Sequence, residues 1–196
     1  MELPPHIPRA NSPLGRAIGR LMLKLLGWKV HGQFPNRSKF VAAVAPHTSN
    51  WDFFVAIAVK LALDVDIRFL GKHSIFIPPV SWLLRHWGGI AVRRDSPHGM
   101  VEQVSQIFAE KDALVLGLAP EGTRKYTLEW KKGFIYIAQA AQVPIVPMAI
   151  DYRNKTFIIM PPLQPDAEAD VDMLLAKIKS RYSKTMAKYP NQVSGM

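Results

Sequence analysis

The chain has 196 residues, 48% of them apolar and 20% charged, with a formal net charge of +10. This fits one domain with a substantial core and excludes a disordered or fibrous chain. The absence of cysteine excludes a disulfide scaffold, a thiol nucleophile and any Cys-ligated metal site, while the positive charge calls for an anionic partner.

The charge is unevenly placed. Residues 1–40 carry seven cations (Arg9, Arg16, Arg20, Lys24, Lys29, Arg37, Lys39) against Glu2 alone, a net +6, and the remaining four-fifths of the chain adds only +4. Residues 1–13 are proline-rich and aperiodic, which predicts an irregular arm. Ser12-Pro13 then supplies a helix cap with proline at the first helical position, and Gly27 supplies a stop. Within that helix Arg16, Arg20 and Lys24 form one stripe. Leu14, Ala17, Ile18, Leu21, Leu25 and Leu26 occupy the remaining face, and Trp28 closes it. The pattern suits a helix lying in a membrane interface; the alternative is a helix packed on the domain with a solvated basic face. Arg20 and Lys24 interrupt the apolar run, and no small-residue cleavage site follows, so a secretory signal is not expected. No run of 18 uncharged apolar residues exists to cross a bilayer. Residues 1–30 are therefore expected to form an N-terminal extension, and residues 31–196 the main domain.

Beyond Pro35-Asn36, short apolar runs of strand length alternate with helix-period segments. The expected strands are Phe40–Ala45, Ile67–Leu70, Ile90–Val92, Ala113–Leu118, Ile145–Ile150 and Phe157–Met160. The expected helices lie near Trp51–Leu63, His98–Lys111, Gly133–Gln142 and Val171–Lys188. This alternation predicts an α/β domain with a largely parallel central sheet flanked by helices. Ser74–Trp87 is rich in aromatic and aliphatic residues but broken by two prolines. It reads as core-covering loops and short helices, or as an apolar wall that guides an acyl chain or dips into lipid.

Three strand ends carry chemistry, and the C-terminal edge of a parallel sheet is where α/β folds place their sites. The first is Pro46-His47-Thr48-Ser49-Asn50-Trp51-Asp52. On one continuous helix, positions five apart diverge by about 140°. With a turn after the strand, Thr48, Ser49 or Asn50 can cap a new helix while Asp52 in its first turn reaches back to His47. A carboxylate on one imidazole nitrogen leaves the other as a base. The second strand end is Ala119-Pro120-Glu121-Gly122-Thr123-Arg124, followed by Lys131-Lys132-Gly133 at a helix start. A rigid turn with glycine, hydroxyl and guanidinium suits an oxyanion or phosphate, although a surface turn with an exposed ion pair would have the same composition. The third, Gly88–Arg94, ends in Arg93-Arg94 and is weak alone. His6, His31, His73, His86 and His98 could each be given a role, and are read mostly as surface or structural residues.

These segments together resemble the glycerolipid acyltransferase family. His47–Asp52 matches its His-x4-Asp block, Gly88–Arg94 its glycine-to-arginine block, Glu121–Arg124 its Glu-Gly-Thr-Arg block and Val143–Pro147 its proline block, in that order. The likeness spans roughly residues 28–160. Pro46, Arg93, Ala119 and Lys125 depart from the residues usual in the family and remove no presumed catalytic group. The resemblance implies transfer of a fatty acyl group from acyl-CoA or acyl carrier protein to the hydroxyl of a lysophospholipid, above all 1-acyl-glycerol 3-phosphate. Glycerol 3-phosphate or a lyso-aminolipid is the alternative acceptor. It further implies His47 as general base, Asp52 as its orienting carboxylate, and Arg94, Glu121, Gly122, Thr123, Arg124 and Lys131 as substrate-binding residues. Neither a metal nor any cofactor beyond the acyl donor is expected. The expected location is peripheral, on the inner face of the cytoplasmic membrane. Two non-catalytic rivals remain: a basic nucleic-acid module, which leaves the strand-end blocks unexplained and is supported by no zinc finger, recognition helix or RNA-binding signature, and a membrane-surface adaptor using the N-terminal helix, against which the intact His47/Asp52 pair argues.

Overall fold

The computed structural model describes residues 3–93, 97–166, 168 and 170–195. Its helices are α1 (Pro13–Leu26), α2 (Asn50–Leu63), α3 (Val80–His86), α4 (Pro97–Glu110), α5 (Gly133–Ala140) and α6 (Val171–Lys179). Its strands are β1 (Lys29–Gly32), β2 (Lys39–Ala45), β3 (Ile67–Lys72), β4 (Gly89–Val92), β5 (Leu114–Leu118), β6 (Ile145–Asp151) and β7 (Thr156–Ile159). They form one sheet in the order β1-β7-β6-β2-β5-β3-β4. From β6 to β4 every neighbouring pair is parallel; β7 reverses against β6, and β1 runs parallel to β7. The expected largely parallel α/β architecture is therefore the one found.

Helices cover both faces of the sheet, which is why the central strands are apolar almost without interruption. Along β2, Phe40 and Ala42 join a core with Val55, Ala58 and Val59 of α2. Val41, Ala43 and Ala45 join the opposite core, with Val104 and Phe108 of α4, Ile135 and Ala138 of α5 and Ile178 of α6. All five β2 residues named have 0% exposure. From β2 the chain crosses by α2 to β3, passing over β5. From β5 it crosses by α5 to β6, passing back over β2. Crossovers of one hand in opposite directions put α2 and α5 on opposite faces. The crevice between the C-terminal ends of β2 and β5 is thus the topological switch point.

The N-terminal helix begins as expected: Ser12 caps it through the Gly15 N–H, and Gly27 ends it in the left-handed region at φ 72°. It packs on α2 through Gly15, Gly19 and Leu23. A Cβ at Gly19 would collide with the backbone of Ala58 and Ala62, so only glycine permits this approach. Arg16 faces Asp64 at 3.6 Å. Leu14, Ile18, Leu21 and Leu25 are exposed, with Arg20 and Lys24 beside them. Among the described residues no helix is long and apolar enough to cross a membrane.

Three features differ from the sequence reading. Strand β1 was not expected, because four residues with alternating exposure at a sheet edge leave no detectable period. The last helix stops at Lys179 instead of reaching Lys188. Beyond it Tyr182 turns inward, its hydroxyl donating to the Ala43 carbonyl at 2.8 Å, and Ser183 caps a separate short turn. Ser74–Trp87 forms a short 3₁₀ turn and α3, whose Val80, Trp82 and Leu83 are exposed rather than covering the core.

Candidate active site

The turn after β2 is built by a capping box. Ser49 is the N-cap of α2, its hydroxyl accepting from the Trp51 N–H at 3.1 Å, and Asp52 is the third residue of the helix. The carboxylate folds back over the turn. Asp52 Oδ2 accepts from the Thr48 N–H at 2.8 Å, the Ser49 N–H at 2.8 Å and His47 Nδ1 at 3.0 Å. Asp52 Oδ1 accepts from the Tyr152 hydroxyl at 2.7 Å. The carboxylate is therefore satisfied on both oxygens, while being 1% exposed. A carboxylate facing Nδ1 accepts its hydrogen bond, so in the neutral imidazole the Nε2 nitrogen is the one that holds the lone pair. The imidazole is 25% exposed and lines a groove of about 2080 Å³ across the C-terminal edge of the sheet.

The turn after β5 lies beside it, since Ala43 of β2 is in register with Leu118 of β5. Gly122 adopts φ 67°, a conformation that favours glycine, and its N–H bonds the Ala119 carbonyl at 3.0 Å. Thr123 Oγ1 accepts from the Lys125 N–H at 3.2 Å, and Arg124 is exposed. Gly122, Thr123, Arg124 and Lys131 line the same groove as His47 and Asp52. Phe53, Ile57, Ile67 and Phe69 give the groove an apolar stretch. The groove thus brings together an imidazole, several cations including Arg124 and Lys131, and an apolar wall.

Glu121 is placed differently from the other residues of its block. It is 1% exposed, and its Oε1 accepts from the backbone N–H of His47 at 2.8 Å, while Oε2 has no partner. Burial pushes this carboxyl above its ordinary 4.5, and the His47 N–H opposes that shift. Glu121 is a strut between the two turns rather than a group facing a ligand. Arg94 lies outside the described residues.

A further set of residues belongs to the site by geometry and was not visible in the sequence. Tyr152 sits in the turn between β6 and β7, with burial and the neighbouring Asp52 pushing its phenol well above the ordinary value. The last residues of the chain cross both turns. Thr48 Oγ1 accepts from the Tyr189 N–H at 3.2 Å, and the Gln192 amide nitrogen, in its satisfied orientation, donates to the Thr48 and Arg124 carbonyls at 3.1 Å each. Ser194 accepts from the Thr127 N–H and, through its carbonyl, from the Trp130 indole at 2.8 Å. None of these contacts is local, so no motif marks them. Among the described residues no cluster of three His, Asp or Glu could hold a metal ion.

A family model described as "Acyltransferase" matches residues 27–151. The 1-acyl-sn-glycerol-3-phosphate acyltransferase of Limnanthes alba is 28% identical over 165 residues, which are 78% of this chain and 58% of that protein. Its counterpart in Escherichia coli K12 is 29% identical over 156 residues, 74% of this chain and 62% of that protein. The chloroplastic 1-acyl-sn-glycerol-3-phosphate acyltransferase BAT2 of Brassica napus is 31% identical over 121 residues, 59% of this chain. This chain thus spans from about a third to three-fifths of the length of these curated relatives. The crystal structure of the 1-acyl-sn-glycerophosphate acyltransferase PlsC from Thermotoga maritima shares the fold, with a TM-score of 0.58 at 21% identity, over 86% of this chain and 80% of that one.

Proposed function

Because the chain belongs to the acyltransferase family, we propose that it moves a fatty acyl group from a thioester, acyl-CoA or acyl carrier protein, to the free hydroxyl of 1-acyl-glycerol 3-phosphate. The observation that carries this reading is the His47–Asp52 pair. Its Nδ1 side is locked at 3.0 Å, leaving Nε2 on a groove that also holds Arg124 and Lys131. His47 Nε2 takes the acceptor hydroxyl proton as that oxygen attacks the thioester carbonyl, and Asp52 stabilises the imidazolium that forms. The tetrahedral intermediate collapses with loss of the thiolate, which recovers the proton from His47. No acyl-enzyme is needed, in keeping with a chain without cysteine. Arg124 and Lys131 hold the acceptor phosphate, Gly122 and Thr123 line its seat, and the apolar stretch near Phe53 and Phe69 accommodates an acyl chain.

Such an acceptor lives in a lipid surface. The ridge of Leu14, Ile18, Leu21 and Leu25 on α1, 45% to 76% exposed, supports attachment to the inner face of the cytoplasmic membrane. Arg20 and Lys24 would each add about 1 kcal/mol on an anionic leaflet, and insertion of the ridge supplies the larger share.

The test is a panel of acceptors (1-acyl-glycerol 3-phosphate, glycerol 3-phosphate, a lyso-aminolipid) offered with acyl-CoA or acyl carrier protein and read by lipid mass spectrometry. Phosphatidate formed by the native chain and abolished in His47→Ala is the expected result. Equal turnover in His47→Ala, or no product with any acceptor, overturns the reading.

A further inference from the structure

We propose that Tyr152 is a positioning residue for acyl transfer, acting on the base His47 through the second oxygen of Asp52. The inference rests on the reading of His47 as the base. The two oxygens of Asp52 are held unequally. Oδ2 accepts three N–H groups, including His47 Nδ1, all from the turn that Asp52 itself closes. Oδ1 has one partner among the described residues, the Tyr152 hydroxyl at 2.7 Å, which arrives from 100 residues further along the chain.

The ring of Tyr152 is firmly seated. Trp28, just past the end of α1, meets it edge-to-face with centroids 5.0 Å apart and planes at 89°. Its backbone N–H is fixed to the Met186 carbonyl at 2.8 Å. The hydroxyl is therefore delivered to Oδ1 at a defined place, and because the phenol stays protonated it donates there throughout the working pH range.

Two consequences follow. The phenol fixes the plane of the carboxylate, which three donors on a single oxygen cannot do alone. It also draws charge toward Oδ1 and so moderates the grip of Oδ2 on the imidazolium. Among the described residues, the other ionisable groups around the pair include Glu121, behind the His47 backbone, Tyr189, which also pushes the Tyr152 phenol up, and Lys188, whose ammonium lies 5.9 Å from the Tyr152 ring centroid, 4.9 Å from that of Trp51 and 5.7 Å from that of Tyr189. None of them bonds Oδ1, so the moderating role falls to Tyr152.

Tyr152→Phe in the full chain keeps the ring against Trp28 and deletes only the donor. The expected result is a kcat lower by about tenfold, with KM for acyl-CoA and 1-acyl-glycerol 3-phosphate within about twofold of native. The acid limb of the kcat/KM profile moves to higher pH, because the ungoverned carboxylate holds the imidazolium more tightly. In the substrate-free protein the ¹⁵N resonances of the His47 ring move as well. A purely structural role would lower the melting temperature and leave the acid limb in place. Trp28→Phe, which loosens the seat and keeps the hydroxyl, produces the same changes in smaller measure. Native kcat, native acid limb and unmoved His47 resonances in Tyr152→Phe overturn the proposal. If the native chain transfers no acyl group, the functional reading fails, and the His47 resonances still decide whether Tyr152 acts on the pair.

Discussion

Asp52→Asn removes one charge and leaves the volume of the side chain unchanged, so the structure dictates how the amide must sit. The Oδ2 position receives N–H groups from His47, Thr48 and Ser49 within 3.0 Å. An amide nitrogen there would face three donors, so the amide oxygen takes that place. The amide nitrogen then faces Tyr152, whose hydroxyl can turn to accept. His47 keeps its Nδ1–H tautomer and its aim, and the loss is electrostatic alone. Hydrogen bonds to a charged acceptor contribute about 1.5–3 kcal/mol each and neutral ones about 1 kcal/mol. Given non-additivity, native stability should fall by about 1–3 kcal/mol. In the reaction, the imidazolium now forms opposite a neutral amide. The rate should drop by roughly a hundredfold, less than in His47→Ala, where the base itself is gone. Asp52→Ala is the harsher control, because it strands two backbone N–H groups and the Tyr152 hydroxyl at a place only 1% exposed, at a cost of about 3 kcal/mol or more. Steady-state release of free CoA and thermal melts measure both effects. Native turnover in Asp52→Asn, a loss equal to that of His47→Ala, or equal stability of the Asn and Ala variants would refute the reasoning.

Four further changes probe the surroundings. Glu121 is held above its ordinary 4.5 chiefly by burial, so the native chain retains that proton to higher pH than the unfolded chain does. The associated stability is full below about pH 4.5 and is lost as pH rises through the native value. Glu121→Gln, which still accepts the His47 N–H, should therefore gain in melting temperature relative to native as pH rises from about 4 to neutrality; a difference independent of pH would contradict this. Gln192→Ala removes the donor shared by the Thr48 and Arg124 carbonyls, and should lower stability by about 1–2 kcal/mol and raise KM for the phosphate-bearing acceptor several-fold, measured by acceptor titration. The pair Ile18→Asp and Leu21→Asp lies on exposed positions, so its melting temperature should match native, while flotation with anionic vesicles is lost. Gly19→Leu, by contrast, should destabilise the fold outright, because the new side chain meets the backbone of α2.

What was legible in the sequence follows the range of the interactions involved. The His47–Asp52 pair could be anticipated because one capping turn makes it, five residues wide, and the chemistry of a helix N-terminus is local. The strands of the central sheet could be read because burial on both faces leaves long apolar runs. The antiparallel turn before β7 could not be read from strand–helix alternation. It is closed by Asp151 accepting from the Asn154 N–H and side chain at 3.2 and 2.7 Å, and it is this turn that delivers Tyr152. Glu121 was expected to face the acceptor because its block reads as a unit. Only the fold shows that the residue points inward, to a backbone N–H 74 residues away.

The basic N-terminal helix shows the same limit in another form. A search for apolar periodicity finds Leu14, Ile18, Leu21 and Leu25 and makes them the natural docking stripe, yet these are the residues left exposed. The actual contact with α2 runs through Gly15 and Gly19, where the absence of side chains lets two backbones approach, with Leu23 buried in the same core. Hydropathy counts such glycines as gaps. The helix thus packs on the domain through its small residues and leaves a greasy ridge exposed beside Arg20 and Lys24. Arg16 is drawn aside to Asp64 at 3.6 Å, so the cations available to a lipid surface are fewer than the stripe implied. On the proposed membrane reading, attachment would depend on apolar insertion more than on charge, and salt should weaken vesicle binding only modestly. Complete release of the native chain from anionic vesicles at high salt, with retention at low salt, would show that the ridge does not insert.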